Sequence, residues 1–183
     1  IIVMDKNVIK QIILNQQDFI GRIKLQSRNV CFEENANYVL VGIRRAGKSY
    51  MLYQHIQHLV ANGHSIEEML FINFEDERIS DIRKEDLYLI LEAYRELFAF
   101  QPIIFLDEIQ NVEGWEHFAR RLADEKYRVF ITGSNAHMLS REISSTLGGR
   151  YLTKEIRPFS FSEYLEYHNI CLLYTSPSPR DVE

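Results

Sequence analysis

Between residues 42 and 49 the chain reads Gly42-Ile43-Arg44-Arg45-Ala46-Gly47-Lys48-Ser49, a G-x-x-x-x-G-K-S spelling that suits the binding of a polyphosphate. Glycine lets the backbone come close enough for successive N–H groups to point at phosphate oxygens. A helix starting immediately behind the loop adds the partial positive charge of its N-terminus. Lys48 is placed to reach the β- and γ-phosphates, and the Ser49 hydroxyl to ligate Mg²⁺. The residues on either side agree. Tyr38-Val39-Leu40-Val41 before the loop is a strand-length apolar run, and a helical pattern runs from Tyr50 to Val60 after it. Strand, glycine loop and helix in that order imply a nucleotide-binding protein.

A second constellation lies at Ile103-Ile104-Phe105-Leu106-Asp107-Glu108. Four apolar residues bury a strand, and two acids emerge at its carboxyl end, where open α/β sheets bind ligands. Asp107 is the candidate to hold Mg²⁺ with Ser49, and Glu108 the candidate general base for an attacking water. Ser134 and Asn135 end the following strand. They are read either as a sensor touching the γ-phosphate or the water, or as ordinary turn caps. Asn73, ending the second strand, is read either as a gate hydrogen-bonded to Glu108 or as a structural asparagine. Arg150 and Arg141 lie farther on. An arginine there serves as a finger on the transferred phosphate if it sits near a subunit boundary, and otherwise as a surface residue. Arg44 and Arg45 are expected to face solvent, touching phosphate only incidentally. Arg120-Arg121 suits a solvated helix face.

These groups need a scaffold, and the apolar pattern supplies one. Met4 to Ile23 carries Val8, Ile12, Phe19 and Ile23 at helical spacing, which predicts an N-terminal amphipathic helix. The helix after the loop is expected to bury Met51, Leu52, Ile56, Leu59 and Val60, with His55 and His58 on its other flank. Met69 to Phe74 reads as a second strand, and 84–98 as a helix with a clear apolar stripe. A helix with Trp115, Phe118, Ala119 and Leu122 inward then precedes a strand over 127–132. A last strand is expected over 150–156, and Ser160-Phe161-Ser162-Glu163 spells a capping box. Nearly all-apolar strands alternating with helices predict a parallel sheet covered on both faces.

The chain has 183 residues, 46% hydrophobic and 26% charged, which suits one domain with a proper core. A net charge of −5 gives no general pull toward nucleic acid or anionic membrane. Cys31 and Cys171 have no C-x-x-C or Cys/His spacing, which fits a reducing compartment and structural thiols. No apolar run reaches the length of a membrane span, so the expected location is the cytoplasm. The opening residue is Ile1, so the true start is expected to be missing. Leu173 to Asp181 resembles the translated read-through of a sequencing adapter. It is set aside as a scar, with Tyr174 to Glu183 expected to be poorly ordered.

With these residues in hand the chain resembles the AAA+ superfamily, and more closely the archaeal-type ATPase family, whose members usually carry an uncharacterised C-terminal domain. The matching stretches are GIRRAGKS, the INFED strand end at Ile72 to Asp76, FLDEIQ at Phe105 to Gln110, and GWE at Gly114 to Glu116. TGSNA at Thr132 to Ala136 and the run from Leu147 to Leu165 also match. The resemblance implies a three-layer α/β/α P-loop NTPase fold with a mainly parallel five-stranded sheet in the order 5-1-4-3-2. It implies ATP on Gly42 to Ser49 and Tyr50, Mg²⁺ at Ser49 and Asp107, and Glu108 as catalytic base. It also implies a sensor at Ser134 or Asn135, and Arg150 as a finger acting in trans within a homo-oligomer. The expected division is a helical extension over 1–37, an ATPase core over 38–169 and a non-native tail over 170–183, with the C-terminal domain lost. The leading functional reading is an ATPase that drives conformational change in a protein or nucleic-acid partner it does not identify. A slow nucleotide-dependent switch is the alternative, and a small-molecule kinase a further one. A GTPase is disfavoured, since no N-K-x-D spelling appears.

Overall fold

The computed structural model describes residues 4–134 and 145–158. Asn135, Arg141, Cys171, the helical stretch after His137, the capping-box spelling at 160–163 and the tail all lie outside the described residues.

Five strands form one all-parallel sheet in the order β2-β3-β4-β1-β5, the order expected. They are β1 (Asn37–Val41), β2 (Met69–Asn73), β3 (Ile103–Asp107), β4 (Arg128–Gly133) and β5 (Tyr151–Glu155). The helices are α1 (Lys6–Arg22), α2 (Lys48–Ala61), α3 (Tyr88–Leu97) and α4 (Trp115–Asp124). Because successive strand side chains face opposite ways, each apolar run divides its residues between two cores. Val39, Val41, Leu70, Ile72, Ile104, Leu106, Val129 and Ile131 pack on one face with α1, α3 and α4. Tyr38, Leu40, Met69, Phe71, Ile103, Phe105 and Phe130 pack on the other with α2 and the linker before β1. Under α2 the second set forms an aromatic row across the sheet. Phe105 and Phe130 stack 5.0 Å apart, and Tyr38 stacks on Phe130 at 5.9 Å.

The starts of α1 and α2 and the turn into β2 each rest on an identifiable device. The Asp5 carboxylate accepts the Asn7 N–H at 2.8 Å and caps α1. Ser65 and Glu68 form a capping box that turns the chain into β2. Gly47 caps α2 at φ 88°, a left-handed conformation that costs glycine little.

Three local expectations are corrected. The buried stripe of α1 is Ile9, Ile12, Ile13 and Ile20, while Phe19 is exposed, because α1 lies between α3 and β2 and presents a face rotated from the one its outermost apolar residues suggested. In α2, His55 is buried among Phe32, Phe105 and Phe130, whereas Val60 is the exposed residue. The third is β5. It is an edge strand among the described residues and only its Tyr151 is buried, so it is not the nearly all-apolar strand expected. No helix among the described residues is long and apolar enough to cross a membrane.

Candidate functional site

The carboxyl ends of β1, β3 and β4 lie side by side, and the groups that leave them converge. From β1 the chain enters the loop through Gly42, where a Cβ would come 2.2 Å from the Ile156 carbonyl oxygen, so only glycine fits. Lys48 opens α2 and is 3% exposed. Its Nζ donates to the Gly42 and Ile43 carbonyls at 3.1 and 3.0 Å and stands 3.5 Å from Glu108 Oε1. The loop, the lysine and the second acid therefore share one cleft of about 620 Å³, lined by Arg44, Arg45, Gly47, Lys48, Ser49, Tyr50, Glu75 and Glu108.

Asp107 ends β3 on the α2 face, with the same parity as Phe105. Its carboxyl group is buried and hydrogen-bonded by Thr132 at 2.5 Å, and by Ser49. Burial pushes it up to about 6, against the opposing pull of the two hydroxyls. Glu108 leaves the strand in a left-handed conformation, φ 54° and ψ 41°, uncommon for a residue with a side chain. That turn redirects its carboxylate. Oε2 accepts from Gln110 Nε2 at 2.6 Å and Ser134 Oγ at 2.8 Å, while Oε1 faces Lys48.

The structure thus brings Lys48, Ser49, Asp107, Glu108 and Ser134 together. Thr132 and Gln110 join them with no role assigned from sequence. Thr132 Oγ1 accepts the Glu108 N–H at 2.9 Å while donating to Asp107, so one hydroxyl fixes both acids. Strand parity held the signal: β3 and β4 pair Phe105 with Phe130 and Leu106 with Ile131, so the next step sets Asp107 beside Thr132.

Other expected members lie outside this buried cluster, Arg44, Arg45 and Tyr50 at the wall of the cleft and the rest away from it. Arg44 and Ile43 are exposed, and Arg44 bridges to Glu75 at 3.0 Å across the mouth of the cleft. Arg45 is exposed at φ 63°, Tyr50 is 57% exposed and Ala46 is buried. Asn73 Oδ1 accepts the Glu75 N–H at 2.9 Å, the structural role. Arg150 precedes β5, whose first residue pairs with Asn37 at the amino end of β1, and its Nε donates to Asp124 at 2.6 Å. It therefore lies at the far end of the sheet from its own chain's phosphate loop, roughly 17 Å away along a five-residue strand.

A hydroxyl beside a buried carboxylate is a hard oxygen donor pair, and it fits Mg²⁺, which takes few protein ligands and completes its shell with water and phosphate oxygens. Among the described residues there is no cluster of three or more His, Cys, Asp or Glu side chains able to hold a metal ion.

Residues 34–165 match a family described as AAA domain. An uncharacterized protein of Methanocaldococcus jannaschii is 36% identical over 169 residues, covering 91% of this chain and 37% of the relative. An uncharacterized protein of Haemophilus influenzae is 37% identical over 134 residues, covering 72% of this chain and 34% of the relative. The chain spans about a third of the length of these curated relatives.

Proposed function

This chain belongs to the AAA domain family, and from that premise we propose that it binds ATP with Mg²⁺ in the cleft at Lys48 and hydrolyses it. The observation that carries this reading is the convergence of a buried lysine, a hydroxyl–carboxylate pair and a second carboxylate at one end of the sheet. Lys48, already withdrawn from water, directs its ammonium at the β- and γ-phosphates. Ser49 and Asp107 are the residues that would hold Mg²⁺, which supplies neutralising charge to the phosphate oxygens when bound. Glu108 takes the proton of the attacking water, and Ser134 with Gln110 aims its carboxylate. Asn135 is the other sensor candidate. Hydrolysis then drives conformational change in a partner outside this chain. The proposed location, on cysteine spacing, is the cytoplasm.

The test separates binding from chemistry. Lys48→Ala is expected to abolish measurable ATP affinity by calorimetry. Glu108→Gln is expected to keep that affinity and turn over about 10²–10⁴-fold more slowly. Unchanged ATP affinity in Lys48→Ala would refute the site. Wild-type turnover by Glu108→Gln would remove Glu108 as the base. One observation favours a slow switch instead: the Glu108 carboxylate already accepts from two side chains and faces a third. Single-turnover hydrolysis distinguishes the two, because a switch holds its ATP uncleaved over many minutes.

A further inference from the structure

We propose that Arg28 is a positioning residue of the phosphate loop: its guanidinium straps the loop to the chain leaving β5, and so couples nucleotide binding to that exit. The proposal rests on the reading of the loop as an ATP site and adds a residue outside every motif that pointed to it.

Arg28 lies in the linker between α1 and β1, which α2 holds at two levels. Gln57 Nε2 donates to the carbonyls of Ile20 and Ile23, both at 2.8 Å. Gln54 engages Arg28 itself: Oε1 accepts the Arg28 N–H at 2.9 Å, and Nε2 donates to the Arg28 carbonyl at 2.7 Å. With its peptide groups fixed on both sides, Arg28 projects from an anchored base. Nη1 donates to the Ala46 carbonyl at 3.1 Å and Nη2 to the Arg157 carbonyl at 2.9 Å.

The bond to Ala46 sets the loop's geometry. In a planar trans peptide the C=O and the following N–H point in opposite directions. Holding the Ala46 carbonyl outward on the guanidinium therefore turns the Gly47 N–H the other way, into the loop, where a phosphate oxygen would accept it. The guanidinium is close: a Cβ on Gly47 would lie 3.4 Å from Nη1.

The bond to Arg157 sets the coupling. The exit from β5 already touches the start of the loop, through the Ile156 N–H donated to the Val41 carbonyl at 2.7 Å and the Ile156 carbonyl packed on Gly42. Arg28 adds a second tie at the loop's other end. A shift of the Ala46–Gly47 peptide on phosphate binding thus reaches Arg157 through one rigid group. Only a planar fork spans two carbonyls in different segments; a lysine ammonium carries the charge without the span.

The experiment titrates the full chain with ATP and with inorganic tripolyphosphate in four forms: wild type, Lys48→Ala, Arg28→Gln and Arg28→Lys. Thermal melts are run alongside, and amide exchange is followed at 156–157. Arg28→Gln is expected to weaken both ligands roughly tenfold, with Arg28→Lys equally weak. ATP should slow exchange at 156–157 in the wild type and in neither Arg28 variant. If Lys48→Ala binds like wild type, the ATP-site reading fails, and the strap with it. If Lys48→Ala loses binding while Arg28→Gln binds both ligands normally, the strap alone is overturned. Restoration of wild-type affinity and protection by Arg28→Lys overturns it too, since charge would then suffice. Should Arg28→Gln fail to fold, the lysine variant decides by itself.

Discussion

At the scale of single residues the site turns on Thr132, which accepts the Glu108 N–H and donates to Asp107. Thr132→Val keeps the shape and removes both bonds, leaving a buried N–H and a buried carboxyl group short of a partner. The expected cost is about 1–3 kcal/mol. That corresponds to a fall in Tm of roughly 2–12 °C for a domain of this size. Turnover should drop roughly 10- to 100-fold if Asp107 holds the metal as proposed, the usual effect of losing a residue that orients a metal ligand. Thr132→Ser should restore both, because the hydroxyl and not the methyl group does the work. Recovery of neither by serine would mean that packing explains the loss. The convergence of Lys48, Ser49, Asp107 and Glu108 was legible in the sequence because the phosphate site expected there calls for those types at fixed spacing. Thr132 was not, since a threonine inside an apolar run carries no signal until the strand beside it is known. Gln110 and Arg28 were invisible for a related reason: each acts on a backbone or a carboxylate that the fold, not the spacing, brings near.

At the scale of elements, the faces of the helices were harder to read than their existence. A histidine on a helix flank ordinarily meets water, and His55 meets water only if α2 stands free. The linker through Phe32 closes over it, at 4.6 Å between rings, and leaves Nε2 without a hydrogen-bond partner among the described residues. Burial pushes its pKa down to about 3, with Arg128 and His58 adding to the effect. The sign follows. In the unfolded chain the ring titrates near 6.5, so between pH 6.5 and 3 the unfolded state binds a proton that the folded state refuses. His55 therefore leaves stability intact above pH 6.5 and erodes it as pH falls, by up to about 1.4 kcal/mol per pH unit. Asp107, raised to about 6 by burial, works in the opposite sense between its unfolded value and pH 6. Comparing wild type with His55→Phe cancels that shared contribution. The stability difference between the two proteins, from urea melts at pH 7 and pH 5, should move by roughly 2 kcal/mol in favour of the variant on acidification. A difference independent of pH would show that His55 gains its proton in the folded state.

At the scale of the whole molecule, the parallel sheet puts the cleft at Lys48 at one end and Arg150 at the other. An arginine so placed does not serve its own cleft. If copies of the chain meet end to end, it is in reach of a neighbour's, which is the proposed finger arrangement. Hydrolysis per chain should then rise with protein concentration, and Arg150→Ala should slow it without weakening ATP binding. Asp124→Asn, which breaks the same ion pair but keeps the arginine, should leave turnover high. Equal losses from both variants would make the pair structural. The strand order has a consequence of a different kind, in the making of the protein. The two central neighbours β1 and β4 are joined across some 92 residues, as in the Asn37–Val129 bond. At ordinary synthesis rates β1 emerges roughly 5–20 seconds before its partner exists. For that interval its edges have no native strand to pair with, and closing so long a loop is slow even afterwards. The order of strands that builds the cleft thus also lengthens the time for which the newborn chain carries an unpaired apolar strand.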